Sequence, residues 1–327
     1  MTERFLLTGA LGCIGSWVAK NLVDEGLPPV ILDIGGEPKR LKQLMSDADL
    51  ANITFVNGDV TDLATVEKTL DDHGITHIIH LAALQVPFCR ANPTLGAQVN
   101  VVGTVNMFEA ANKRRDRINK IVYASSVAVY DNVDSPTGAA IAHGLVGHPT
   151  SLYGVYKQAN EGTARVYWHE QKFPSIGLRP YIVYGTGRDQ GMTSAPTKAM
   201  FAAAVGAPYA IPFGGRADYH YADDVAKTFI KCARVPFAGA EIYNLRGSLV
   251  GMDEMIAAIS AVAPQSTGKI THSDNTLPFP DEYESAQLAA LIGTLPYTPL
   301  NVAVEQTINR YRDLTARGVL AKDALLG

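Results

Sequence analysis

Up to about residue 180 the chain alternates short, nearly all-apolar runs with amphipathic helical stretches, a rhythm that few folds can accommodate. Arg4–Leu7, Val30–Leu32, Ile53–Val56, His77–Leu81, Ile121–Ala124 and Ser175–Leu178 read as strands. Between them, Gly12–Glu25, Leu63–Asp72, Leu95–Lys113 and Tyr153–Lys172 carry helical spacing. A strand with one wet face alternates polar and apolar residues; a run that is apolar throughout is covered on both faces. Crossover helices on either side of a parallel sheet provide that cover. The expected fold is α/β, a doubly wound parallel sheet with ligands at the carboxyl ends of its strands.

After Arg179-Pro180 the pattern loosens, and glycine and proline become frequent through Tyr184–Gly215. Helices are expected near Pro196–Val205, over Ala222–Ala233 with Asp223 or a neighbour as cap, around Met252–Val262, and around Asn301–Arg317. Val304, Ile308 and Tyr311 form the inner face of the last one. A seventh strand is expected at Glu241–Leu245. This divides the chain into a nucleotide-binding part, 1–180 plus about 216–245, and a smaller discontinuous lobe, 181–215 plus 246–327, for the substrate. The loop Asp131–Leu152, with Pro136, Gly138, Gly144, Gly147 and Pro149, is long enough to wall a site.

Bulk properties exclude several classes. A net charge of −4 gives no reason to expect a nucleic-acid or membrane partner. Three scattered cysteines make neither a disulfide framework nor a metal site, and they suit a reducing cytoplasm. The apolar stretch Phe5–Val18 is broken by glycines and lacks a signal-peptide cleavage site.

Gly9, Gly12 and Gly15 stand between the first strand and the first helix, spaced G-x-x-G-x-x-G. Glycine there permits a tight turn and a close approach of backbone to a pyrophosphate at a helix N-terminus. Asp33 ends the second strand, where an acid can accept from a ribose hydroxyl and repel a 2′-phosphate. The cofactor expected is therefore NAD. Lys39 and Arg40 read as the solvated start of the next helix. Asp59-Val60 follows the third strand within reach of an adenine.

Tyr153 and Lys157, four residues apart, share a helix face. A phenol needs a pKa drop of about three units, roughly 4 kcal/mol, to act as a base near neutrality. A cation about 4 Å away at an effective dielectric of about 20 supplies an interaction of that order. Lys157 is the expected source.

The chain resembles the NAD-dependent epimerase/dehydratase branch of the extended short-chain dehydrogenase/reductase superfamily. Besides the glycine turn and Asp33, the resemblance rests on Gly58-Asp59-Val60, His80-Leu81-Ala82-Ala83, Asn100-Val101-Val102-Gly103-Thr104 and Ser125-Ser126-Val127-Ala128-Val129-Tyr130. It continues through Tyr153–Lys157, Arg179-Pro180 to Tyr184-Gly185, and Asp218 to Ala226. It implies a Rossmann sheet and hydride transfer, with Tyr153 as acid/base, Lys157 as its electrostatic partner and ribose ligand, and Ser126 on the substrate oxygen. Leu81, Ala82 and Ala83 would line the cofactor path, Asn100 would order the site, and Cys13, Ile14 and Pro180 would add cofactor contacts. The resemblance also implies a homodimer through the helices at Leu95–Lys113 and Tyr153–Lys172.

Relatives acting on nucleotide-linked sugars carry arginines for the diphosphate. Here the usual Arg-Asp-Tyr reads Ala217-Asp218-Tyr219, with Arg216 displaced by one, and Leu277–Asp281 contains no arginine. A diphosphate would lose its bidentate partners. The expected substrate is a smaller sugar acid or polyhydroxy compound, with Arg188 and Arg216 as carboxylate ligands and Gln85 facing it. An epimerase working through a transient keto intermediate is the alternative, and a catalytically silent NAD-binding regulator the reading from another class. Val127 and Ala128 replace the Asp-Glu pair that dehydratases carry after the serine.

Overall fold

The computed structural model describes residues 2–131 and 139–326, so Pro136 and Gly138 of the long loop lie outside the described residues. Twelve strands form among them: β1 Phe5–Thr8, β2 Val30–Asp33, β3 Thr54–Asn57, β4 His77–His80, β5 Ile121–Ala124, β6 Ser175–Arg179, β7 Ile182–Tyr184, β8 Tyr209–Ile211, β9 Arg216–Tyr221, β10 Ala240–Asn244, β11 Ser248–Gly251 and β12 Ile270–His272. Seven of these build one parallel sheet in the order β10-β6-β5-β4-β1-β2-β3. The chain winds outward in opposite directions from β1 and β4, so a crevice opens between their carboxyl ends.

Period-two alternation sorts the sheet's side chains between two cores. Leu7, Ile31, Ile79, Val122 and Ile176 belong to one, while Leu6, Val30, Leu32, Ile78, Ile121 and Tyr123 belong to the other. The first face is covered by helices α1 (Cys13–Asp24) and α6 (Ala222–Arg234), the second by α2 (Leu63–Asp72), α3 (Gly103–Asn112) and α4 (Leu152–Gln171). The outlying helices are α5 (Ala195–Val205), α7 (Met252–Val262) and α8 (Leu300–Ala316). Val304, Ile308 and Tyr311 of α8 are buried.

Three local details differ from the sequence reading. The expected helix Leu95–Lys113 is interrupted by a π-turn over Gln98–Val102. The N-cap of α6 is Tyr221; Asp223 and Asp224 instead occupy the first turn, where they complement the helix dipole. Asp224 accepts from Thr298 N at 2.6 Å and from its hydroxyl at 2.9 Å, and Asp223 accepts from Asn21 at 2.8 Å, so the pair fastens α6 to its neighbours. Arg40 opens the short helix Lys39–Lys42 as expected but is not solvated. It pairs with Asp189 at 2.6 Å and donates to Leu11 O at 2.7 Å. β9 joins β7 and β11 in a separate three-stranded sheet. Among the described residues no helix is long and apolar enough to cross a membrane.

Candidate active site

The glycine turn at the end of β1 is shaped by what glycine lacks. A Cβ on Gly9 (φ +70°) would lie 2.6 Å from Ala82 N, and one on Gly15 would lie 2.3 Å from Gly9 O. The turn therefore presses against Leu81-Ala82 at the end of β4, the other lip of the crevice. Gly12, the N-cap of α1, offers no side-chain cap to the first amides of the helix, including Cys13 and Ile14. These are donors ready for an anion. Asp33, at the end of β2, holds Leu11 N at 3.5 Å, and burial pushes its carboxyl above the usual value. These residues fit a dinucleotide: bare amides for the pyrophosphate and a carboxylate for the ribose. Arg40, committed to Asp189 and Leu11, is not free to clamp a 2′-phosphate. Farther along the sheet edge, Val60 is buried against Gly103, and Asp59 caps its own turn by accepting from Thr61 N at 2.9 Å.

The β4 lip is held from below. Thr8 Oγ accepts from the amides of Leu81 and Ala82, both at 3.2 Å, and lies 2.7 Å from His80 Nδ1. Thr104 donates its hydroxyl to Asn100 O at 2.8 Å, so His80 Nε2 must supply the proton of its 3.1 Å bond to Thr104. His80 is thereby fixed as a neutral Nε2–H tautomer, and burial depresses its pKa to about 3. The Asn100 amide brackets Leu84, accepting from its N at 2.7 Å and donating to its O at 2.9 Å. Ala83 lies between these two anchored points.

Tyr153 and Lys157 lie one turn apart at the start of α4, whose cap Ser151 accepts from Gly154 N. Ser126, at the end of β5, accepts from Ala128 N at 3.1 Å and hydrogen-bonds to the Tyr153 phenol. Val127 N bonds Pro180 O at 3.2 Å, which joins the β5 and β6 ends. The structure thus brings Ser126, Tyr153 and Lys157 together beside the crevice. It corrects the expected electrostatics, however. Lys157 Nζ donates to Ala124 O at 2.7 Å and stands 5.6 Å from the centre of the tyrosine ring. Burial raises the Tyr153 pKa above its ordinary value; the groups pulling it down are Ser126 and Arg188. Desolvation outweighs the nearby charges here.

Arg188 follows β7 and reaches this site. It donates to Thr193 Oγ at 2.8 Å, and its buried Nε has no partner among the described residues. Gln85 and Arg188 converge on Gly191, whose Cβ position would lie 3.2 Å and 3.8 Å from their side chains. Arg216 is placed differently. It is exposed at the start of β9, 3.9 Å from Asp281, while the next residue, Ala217, turns inward and is buried. Glu161, which the sequence reading passed over, and Arg179, read there only as part of a motif, form a buried ion pair behind the serine strand. An acid eight residues beyond Tyr153, on the same helix face, was the available signal.

A doubly wound sheet with a glycine turn at its switch point and a Tyr-x-x-x-Lys helix beside it defines an extended short-chain dehydrogenase/reductase. The NAD dependent epimerase/dehydratase family model matches residues 5–245, and the chain belongs to that family. UDP-glucuronate 4-epimerase 5 of Arabidopsis thaliana is 30% identical over 230 residues, covering 68% of this chain and 52% of that one. The chain spans about half the length of the curated relatives it matches first. Among solved structures, the Thermus thermophilus UDP-glucose 4-epimerase complex with NAD superposes with a TM-score of 0.77 at 24% identity, covering 95% of this chain and 99% of that one. The L-threonine dehydrogenase of Clostridium difficile gives 0.81 at 19%, covering 97% and 99%.

Proposed function

We propose that the enzyme oxidises a secondary alcohol of a small sugar-acid or polyhydroxy substrate, with Ser126, Tyr153 and Lys157 as the working groups. NAD, when bound, supplies the hydride acceptor. Gly9, Gly12, Cys13, Ile14 and Gly15 would hold its pyrophosphate, Asp33 a ribose, and Leu81–Ala83, Asn100 and Pro180 the inner part of its path. Tyr153 Oη takes the substrate hydroxyl proton, Ser126 Oγ holds the oxygen as charge develops on it, and Lys157 would be the ribose ligand beside them. The lobe 181–215 plus 246–327 would close over the substrate.

The observation that carries the substrate class is Arg188. Its guanidinium lies within electrostatic reach of Tyr153, with one buried nitrogen unpaired among the described residues, which suits a carboxylate. Ala217, turned inward where relatives place a diphosphate-binding arginine, supports a substrate without a nucleotide. Arg188→Ala should raise KM for an acidic substrate by about tenfold or more, the worth of one charge-assisted bond, whereas Arg216→Ala should leave it unchanged. A panel of sugar acids and polyols with NAD, followed at the reduced-nicotinamide absorbance, tests the reading. Tight calorimetric binding of a UDP-sugar would overturn it.

The second reading is an epimerase. The match to UDP-glucuronate 4-epimerases favours it, since a uronate carboxylate would also satisfy Arg188. Isomer interconversion without accumulation of NADH would select it. In either case we propose a cytoplasmic homodimer. Exposed Leu95 and Val102 on one helical segment, with Val155 and Val166 on α4, form an apolar face of the kind two copies would bury together. Val155→Arg combined with Val166→Arg should halve the mass measured by sedimentation equilibrium; an unchanged mass would exclude this face.

A further inference from the structure

Tyr153, Lys157 and Glu161 follow one another at four-residue intervals along one face of α4. Glu161 is only 3% exposed. Its Oε1 accepts from Ser125 Oγ at 2.5 Å and from Arg179 Nε at 2.7 Å, and its Oε2 accepts from Arg179 Nη2 at 2.6 Å. Ser125 immediately precedes Ser126, and Arg179 immediately precedes Pro180. Arg179 also donates to the Tyr130 hydroxyl, which donates in turn to Asn244 at the end of β10 at 3.0 Å. One carboxylate thus ties the helix of the catalytic pair to the carboxyl ends of β5, β6 and β10.

Lys157 is equally buried, 3% exposed. The titratable groups around it are His80 from β4, Cys89 from the helix Val86–Ala91, and Tyr153 and Glu161 from its own helix. His80 is neutral, and burial raises the Cys89 and Tyr153 pKa values, so those two are also neutral at ordinary pH. Glu161 is the one anion in this set. We propose that Glu161 is a positioning residue of the active site, anchoring the Ser125-Ser126 strand end to α4 and serving as the countercharge that keeps buried Lys157 an ammonium.

Physical chemistry gives the direction. Burial lowers the Lys157 pKa to about 8, and Cys89 and then Glu161 oppose that fall; the Cys89 thiol is neutral at ordinary pH, which leaves the carboxylate. With the carboxylate replaced by an amide, the lysine loses its attraction and the Arg179 charge is left uncovered behind it. Lys157 should then shed its proton near neutral pH.

This proposal rests on the catalytic reading of Lys157, but its test does not need a substrate. In protein carrying 13C at lysine Cε, the Lys157 resonance is assigned by its disappearance in Lys157→Arg and titrated by NMR. Glu161→Gln should move its midpoint down by about one pH unit or more, and Glu161→Asp, which keeps the charge, should largely restore it. Because Glu161→Gln strands a buried guanidinium and destabilises the fold, Glu161→Gln combined with Arg179→Met removes both charges and should still shift the midpoint down, by less than the single variant because the Arg179 repulsion is gone too. A midpoint unmoved in the folded variants would overturn the proposal. Calorimetry of NAD binding to the unmodified protein reports on the cofactor reading separately, so the two failures stay distinct.

Discussion

Tyr153→Phe should abolish turnover, by on the order of 10²–10⁴-fold, while leaving NAD affinity nearly unchanged. The substitution removes one oxygen and keeps the ring. Lys157 retains its bond to Ala124 O and its place over the aromatic face. Asp33 and the glycine turn are untouched, so the cofactor groups stay where they were. What disappears is the atom hydrogen-bonded to Ser126 that can accept a proton from a substrate hydroxyl. The pH dependence of the unmodified enzyme follows from the same atom. The phenol pKa lies above its ordinary value, so the phenolate fraction grows as pH rises, and alcohol oxidation should climb toward alkaline pH. The opposing limit is Lys157, whose charge is lost as pH passes about 8. The oxidation optimum should therefore be shallow and alkaline, while reduction, which needs the protonated phenol, should be favoured at lower pH. Steady-state rates in both directions and NAD calorimetry on the variant check this; a Tyr153→Phe enzyme that still turns over would remove the mechanism.

The sheet was readable because its strands obey one physical demand, burial on both faces, which leaves an apolar run that sequence displays directly. The crevice followed from it, since Gly9–Gly15 and Asp33 lie at strand ends. The short strands β7, β8, β9, β11 and β12 went unnoticed because pairing partners far along the chain define them; Arg216–Tyr221 is polar at alternate positions and lies beside Ile182–Tyr184 only once the lobe is folded. The electrostatics were misread for a similar reason. A Tyr-x-x-x-Lys spacing says that two side chains share a helix face, but not that the ammonium will turn to the Ala124 carbonyl, nor how much desolvation the phenol suffers. The sequence likewise offered Arg188 and Arg216 as equals. Position along the strand decided between them, because Arg216 opens β9 at the surface beside Asp281 while every residue from Ala217 to Tyr221 is buried.

Gly15→Ala should severely damage the glycine turn that follows β1. The added Cβ would lie 2.3 Å from Gly9 O, 2.7 Å from Ala10 Cα and 2.9 Å from Gly9 C. All three are backbone atoms of the turn itself, so no side chain can swing aside to make room. Relief requires opening the turn, and that would break the 3.1 Å bond from Gly12 N to Gly9 O and shift the first amides of α1 away from the crevice. Overpacking of a well-filled site costs about 1–3 kcal/mol, and a backbone clash belongs at the upper end. NAD binding should weaken on the order of a hundredfold, about 2.8 kcal/mol, with a lower melting temperature. Two controls calibrate the result. A Cβ on Gly12 would lie 3.1 Å from Gly9 O, tight but not impossible, so Gly12→Ala should give a smaller loss. Gly26→Ala places its methyl in open space at φ +74°, so it should lower stability slightly and leave NAD affinity alone. Equal NAD affinities across the three variants would mean that the turn between β1 and α1 does not receive the dinucleotide.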